Sequence, residues 1–294
     1  MSLPTLKKVY FEITNICNLS CSFCPGTKRR KAFVSLEDFV KTAEKLKGKV
    51  RYLYLHLMGE PTLHPQLAEM LKIADELGFE VIITTNGTTL AEKGDILLNN
   101  GKVHKVSISL HSFEANGISG INMSGYLAEC FSFARAASDK GIITVLRLWN
   151  LDGSTTVGQN CLNGEILSAM KQFFDDSTWT ETRSGLRLCE KVFLEYASKF
   201  EWPDSDRISD AEMTGDFFCH GLRDQIGILC DGTVVPCCLD SEGGIALGNI
   251  FESSYEDIMT SEKVRKFYDS VSARRCPSPL CATCEYARRF SKIK

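Results

Sequence analysis

The sequence has no run approaching the ~20 apolar residues that a membrane-spanning helix requires. Its N-terminus lacks the basic and apolar regions of a signal peptide, so a cytoplasmic location is the expectation. Net charge is small as well: 34 Lys and Arg against 37 Asp and Glu leave −3 over 294 residues. That balance argues against nucleic acid coating and against docking to an anionic membrane. The basic run Lys28-Arg29-Arg30-Lys31 is a local exception, read as a solvated loop with RNA contact as the alternative. Internal repeats and low-complexity tracts are also missing.

Cysteine, by contrast, is abundant, with 13 in the chain. Disulfide staples are not expected in a reducing compartment, which leaves metal binding or redox chemistry. Cys17, Cys21, Cys24, Cys281 and Cys284 form two tight groups at opposite ends of the chain. Cys130, Cys161 and Cys189 stand alone and read as buried structural thiols.

Strand-like and helix-like segments alternate through the first two thirds. Strand patterns fall at 7–14, 52–58, 79–85, 104–111, 142–149 and 191–196. Helical patterns lie between them: one opening at Ser35, whose "SLED" resembles a capping box, then 65–77, 88–100, 124–140 and 163–176. Six βα units predict a parallel sheet with right-handed crossovers, and six strands are too few for a closed eight-stranded barrel. The fold class is therefore α/β, a partial (β/α)6 barrel. Segments 150–160 and 200–218 read as loops, the second as the boundary between a barrel over 5–200 and a unit over 215–294. In that unit "QIGILCDGTVVPCC" predicts a hairpin turning at Asp231-Gly232, followed by a helix over 254–269.

Along several strands alternate positions are polar: Tyr10 and Glu12, Tyr54 and His56, Ser107, Ser109 and His111, then Arg147. The interleaved residues, including Val9, Phe11, Leu53, Leu55, Val106 and Ile108, are apolar. Period-two alternation sends the two sets to opposite faces. Helices must cover the apolar face, which predicts a polar lumen. Exposure of an edge strand is the other explanation of the same pattern.

The stretch "CNLSCSFC", Cys17 to Cys24, follows the first strand, where ligand sites in parallel α/β folds gather. Closely spaced thiolates suit an iron–sulfur cluster or zinc. A closed zinc site needs a fourth ligand, and no His or Cys follows Cys24 until His56. A cubane held by three thiolates leaves one iron open instead.

Together with "MGEPTLHP" after the second strand, this stretch resembles the radical S-adenosylmethionine (radical SAM) superfamily over residues ~7–200. The resemblance implies that Cys17, Cys21 and Cys24 hold a [4Fe–4S] cluster whose open iron chelates S-adenosylmethionine. It implies that Phe23 packs near the adenine and that Gly59, Glu60 and Pro61 form the turn that binds the methionine amino group. Met58 stands where the family's turn has its first glycine. Asn86 and Ser109 fall where the family contacts the cofactor, and Arg147 is a partner for the methionine carboxylate or for substrate. The implied chemistry is reductive cleavage to a 5′-deoxyadenosyl radical that takes a hydrogen atom from substrate. The implied electron source is a reductant such as flavodoxin or ferredoxin. Glu12, His56 and His111 are the candidate substrate contacts in the lumen, with a satisfied interior hydrogen-bonding role as the alternative for each.

A second resemblance covers the C-terminal part. Cys219, Gly232 and Cys237 match the opening of the SPASM/twitch auxiliary-cluster region, and Cys281-x-x-Cys284 supplies a further pair. This implies a small α+β twitch-like domain with one auxiliary [4Fe–4S] cluster, in which Cys276 could replace Cys281. A structural zinc ribbon is the competing reading. Cys238 is a candidate hydrogen-atom donor. A peptide or protein is the expected substrate, and a sugar or cyclitol dehydrogenase or epimerase is the alternative. The chain shows no segment before the first strand resembling the leader-recognition domain of many peptide modifiers. A zinc-bearing interaction module is the non-enzymatic alternative.

Overall fold

A computed structural model describes residues 6–116, 122–151, 160–199, 201–204, 215–290 and 292–293. Its strands are β1 (Lys8–Phe11), β2 (Tyr52–Tyr54), β3 (Glu80–Thr85), β4 (Val103–Ser109), β5 (Ile143–Leu148), β6 (Thr180–Thr182), β7 (Gly185–Cys189), β8 (Val192–Tyr196), β9 (Gly215–Asp216), β10 (Gln225–Ile228), β11 (Thr233–Val235), β12 (Gly248–Asn249) and β13 (Lys292–Ile293). The principal helices are α1 (Leu36–Leu46), α2 (Leu67–Glu76), α3 (Leu90–Asn99), α4 (His111–Ala115), α5 (Met123–Asp139), α6 (Asn163–Phe173), α7 (Tyr255–Thr260) and α8 (Glu262–Ser272). Local sequence explains their ends. Ser35 Oγ accepts from the Asp38 amide at 3.0 Å and donates to its carboxylate, starting α1 as a capping box. The helix expected over 254–269 is two helices, because Ser261 takes an extended backbone and its hydroxyl caps α8 by accepting from the Val264 amide.

One sheet runs β12-β11-β10-β1-β2-β3-β4-β5-β8-β7-β6. The six strands β1 to β5 and β8 are parallel neighbours, as the six βα units require. The antiparallel strands β6 and β7 extend the sheet beyond β8, an addition the sequence patterns do not announce. At the other edge β10 pairs parallel with β1, Lys8 opposite Gln225 through Phe11 opposite Ile228. The C-terminal segment thus continues the N-terminal sheet by direct hydrogen bonding. Strands β10 and β11 form the expected hairpin, with Gly232 at φ +84°. The boundary expected at 200–218 and the loop expected at 150–160 fall largely outside the described residues.

The two faces separate as the alternation requires. Val9, Phe11, Leu53, Leu55, Val106 and Ile108 are fully buried in the core, which includes Phe39 of α1, Met70 of α2 and Phe131 of α5. Tyr10, Tyr54, Thr84, Ser109 and Arg147, from five successive strands, line one cavity on the opposite face. Two placements differ from expectation. His56 lies beyond the end of β2 and His111 opens α4, yet both reach the same cavity.

Candidate active site

The loop after β1 presents Cys17, Cys21 and Cys24 partly exposed and reduced. Their thiols are close enough to influence one another, and burial raises all three above the ordinary thiol range, Cys21 to about 11. Each sulfur faces an amide N–H: Asn116 Nδ2 stands 3.0 Å from Cys21, the Gly26 amide 3.5 Å from Cys24, and Asn86 Nδ2 4.0 Å from Cys17. Donors aimed at sulfur favour thiolate and tune a bound cluster. Three thiols with amide donors beside them are a donor set that suits an iron–sulfur cluster.

The turn after β2 is locked against this loop. Gly59 has φ +74°, and a Cβ there would lie 2.4 Å from the Thr14 carbonyl oxygen, so only glycine fits. The Glu60 amide donates to the Ile16 carbonyl, next to Cys17. The Glu60 side chain accepts from the Thr62 hydroxyl and amide and, at 2.7 Å, from the Asn86 amide. Pro61 follows as the first residue of a 3-10 turn, where its missing N–H costs nothing. Asn86 Nδ2 donates to Asn18 Oδ1 at 2.9 Å. Glu60 and Asn86 therefore position the cysteine loop, and their polar atoms are taken up by protein.

Glu12 requires a correction. Expected among substrate contacts, its carboxylate is instead enclosed, accepting from Arg29 at 2.7 and 2.8 Å and from the Met58 and Cys230 amides at 3.1 Å each. Arg29 also donates from Nε to the Ser241 carbonyl. The basic run is thus not a free cationic surface: Arg29 is internal, and Lys31 donates to the Asn15 carbonyl. Cys230 belongs to this knot, with its thiol 3.6 Å from Arg29. Of the isolated cysteines only Cys130 is buried; Cys161 is exposed and Cys189 half-buried.

The cavity, about 330 Å³, is lined by Phe23, Ser109 and His111 and also by Cys219, Cys237, Cys238 and Cys284. Lys8, Tyr10, Tyr54, His56, Thr84, Arg147 and Trp149 line it as well. The Phe23 and His111 rings lie 4.9 Å apart. His111 Nδ1 donates to the Arg147 carbonyl at 3.0 Å, and burial lowers its pKa to about 4, so the ring is neutral with Nε2 as acceptor. His56 is neutral for the same reason, lowered to about 3 by burial and by Arg147. Its Nδ1 is buried without a partner.

Cys219, Cys237, Cys276, Cys281 and Cys284 share one neighbourhood; burial raises all five thiols, and repulsion from neighbouring cysteines adds to it for all but Cys276. Cys276 donates to the Ser278 carbonyl at 3.2 Å. Cys238 faces the cavity beside Tyr10 and is raised to about 11 by burial. Sequence patterns missed Asn116, Arg29, Lys8 and Trp149. Thr84 was in principle visible, two residues before Asn86 on one strand face.

The model of the radical SAM superfamily matches residues 11–156. The chain belongs to the radical SAM superfamily. The SPASM model, an iron–sulfur cluster-binding domain, matches residues 219–285. This radical SAM protein is accordingly an enzyme whose cofactors are S-adenosylmethionine and [4Fe–4S] clusters. It is 27% identical over 300 residues to the antilisterial bacteriocin subtilosin biosynthesis protein AlbA of Bacillus subtilis (strain 168), covering 93% of this chain and 66% of AlbA. It is 26% identical to the sporulation killing factor maturation protein SkfB of the same organism, covering 84% and 63%. The chain thus spans slightly under two thirds of the length of each. Among solved structures, BtrN in complex with AdoMet and 2-DOIA superposes with a TM-score of 0.59 at 18% identity, over 95% of this chain and 92% of BtrN. Streptococcus suis SuiB bound to precursor peptide SuiA gives 0.57 at 13%, over 96% and 70%. Both share the fold.

Proposed function

We propose that this radical SAM enzyme abstracts a hydrogen atom from a peptide whose reacting side chain enters the cavity between its two cysteine sets. The observation behind this is the continuity of that cavity, from Phe23 and Ser109 to Cys237 and Cys284. Cys17, Cys21 and Cys24 would hold the cluster that binds S-adenosylmethionine, and Cys219, Cys237, Cys281 and Cys284 the auxiliary cluster. When bound, these groups supply one-electron reductive cleavage of the sulfonium and hydrogen-atom abstraction. The protein binds, orients and excludes water. Phe23 offers a ring to the adenine; Ser109 presents its hydroxyl to the cavity; Gly59 and Pro61 shape the turn beside the cysteine loop. His56 and His111 face the substrate as neutral polar groups. Cys238, outside the ligand set, is the candidate hydrogen-atom donor, and Cys238→Ala with full product would remove it. Flavodoxin or ferredoxin is the proposed reductant.

Peptide chemistry is favoured by the relatives named for bacteriocin biosynthesis and for killing factor maturation, and by SuiB with its precursor peptide. A small polar metabolite is the second reading. A cavity of about 330 Å³ is near the lower limit for ligand pockets, and BtrN was solved with a small ligand. The test is anaerobic reconstitution. Wild type should carry about eight irons, and Cys17→Ala and Cys281→Ala about four each. Only Cys17→Ala should abolish S-adenosylmethionine cleavage. Colourless, zinc-loaded protein would refute the reading. Mass spectrometry of candidate peptides against small polyols then separates the two substrate classes.

A further inference from the structure

We infer that Arg147, which lines the cavity, is the receptor for a carboxylate group on the substrate. This deepens the proposed function and rests on its reading that the cavity receives substrate. On β5, Arg147 stands opposite Ser109 of β4 and Glu195 of β8. Its guanidinium is held on two sides. Nη1 donates to Thr84 Oγ1 at 3.3 Å, and the Trp149 ring lies 4.2 Å from the guanidinium carbon. Nε is buried and makes no hydrogen bond. Among the described residues no carboxylate pairs with Arg147 at salt-bridge distance. Glu195 is near enough to favour its charge, while burial disfavours it.

A buried cation lacking a bonded anion is costly, and a side chain oriented on two sides loses little freedom on meeting one. With Nε shut away from solvent, the donor left for a ligand is Nη2, which makes no hydrogen bond among the described residues. A carboxylate oxygen meeting it would form a charge-assisted hydrogen bond. Besides Glu195, two cations stand nearby. Lys8 lies 5.8 Å from the Tyr10 and Tyr54 ring centroids, and Lys105 is close enough to act on both Arg147 and His56. Asp224, the other acidic group near this end, stands 3.4 Å from His220. His56, with its unpartnered Nδ1, adds a neutral donor or acceptor beside the same space.

Depth separates this site from the methionine carboxylate of the cofactor. Thr84, which fixes the guanidinium, precedes Asn86 by two strand residues, roughly 6–7 Å at ~3.3 Å rise. Asn86 is the residue tied to the Cys17 loop. The guanidinium therefore sits about one side-chain layer below the loop that would hold the cofactor. At that level a carboxylate would be gripped with the rest of the substrate directed toward Ser109 and Phe23.

The experiment uses reconstituted holoenzyme saturated with S-adenosylmethionine under anaerobic conditions, titrated calorimetrically with glutarate, inorganic phosphate and ethylammonium. Glutarate should bind saturably and ethylammonium should not. Arg147→Gln should weaken glutarate about tenfold or more, Arg147→Lys less, and Thr84→Val about threefold through loss of one orienting contact. Iron content and circular dichroism establish that each variant is folded; if Arg147→Gln is not, Thr84→Val and Arg147→Lys decide. Unchanged glutarate binding in folded variants overturns the inference. So does a tenfold loss of S-adenosylmethionine affinity with glutarate unaffected, which would assign Arg147 to the cofactor. Arg147-dependent binding of phosphate without glutarate overturns the carboxylate assignment. Absence of reductive S-adenosylmethionine cleavage in wild type would instead defeat the proposed function, and the anion titration is read independently of it.

Discussion

Removing Arg29 should be among the most damaging single changes outside the cysteines. Its guanidinium meets both oxygens of Glu12, a carboxylate with no solvent exposure, and its own side chain is only 12% exposed. In Arg29→Ala the carboxylate would keep two amide donors, from Met58 and Cys230, and lose its counter-charge. Stripping one partner from a buried pair typically costs about 3–5 kcal/mol, because the remaining charge stays desolvated. The Ser241 carbonyl would lose its Arg29 donor as well, adding about 1 kcal/mol. The expected total is roughly 4–6 kcal/mol, a large share of the ~5–15 kcal/mol available to a domain. Because Arg29 follows Cys24 by five residues and reaches the C-terminal segment, its loss should loosen both. Urea unfolding monitored by tryptophan fluorescence gives the magnitude, and Glu12→Gln with the double variant completes a cycle. Glu12→Gln/Arg29→Met should recover much of the loss. A change below about 1 kcal/mol in Arg29→Ala would show that the enclosed pair is not what joins the cysteine loop to the C-terminal segment.

Two further outcomes are expected. Gly59→Ala combines a left-handed backbone with a Cβ driven to 2.4 Å from the Thr14 carbonyl, so a loss of about 2 kcal/mol and poor cluster retention should follow; iron content and urea midpoint check both. His56 has its pKa depressed to about 3 by burial, below the ~6.5 of the unfolded chain, so its contribution to stability is present above pH 6.5 and is lost as pH falls toward 3. Between pH 6.5 and 5.5 that loss is about 1 kcal/mol, and His56→Gln should flatten the pH dependence by that amount in urea titrations. An identical slope in both proteins would refute the neutral, buried assignment.

Much of the architecture was legible because local periodicity is a direct consequence of backbone geometry. Alternation on β1, β2, β4 and β5 told apart a face that packs on helices from a face that lines a cavity, and the structure divides those residues accordingly except that Glu12 and Ser107 are enclosed. The three-cysteine spacing likewise set three thiols on one loop after β1. Glu12 shows the limit. Alternation set its face correctly, but not that Arg29, 17 residues on, folds back to cover it. Asn116 escaped notice because its Sγ contact joins residues 95 apart.

By itself, then, the sequence determined the strands and helices, the polar and apolar faces, and which thiols stand together along the chain, since these depend on neighbours within one or two turns of backbone. Only the tertiary structure decided which polar residues remain open to a ligand. Burial brings partners from distant segments, and a carboxylate met by a guanidinium is removed from chemistry while a guanidinium that meets none is left available to it. Glu12 and Arg147 occupy alternate-face positions of the same kind, and their surroundings alone differ: Glu12 is paired with Arg29, while Arg147 has no carboxylate at salt-bridge distance among the described residues.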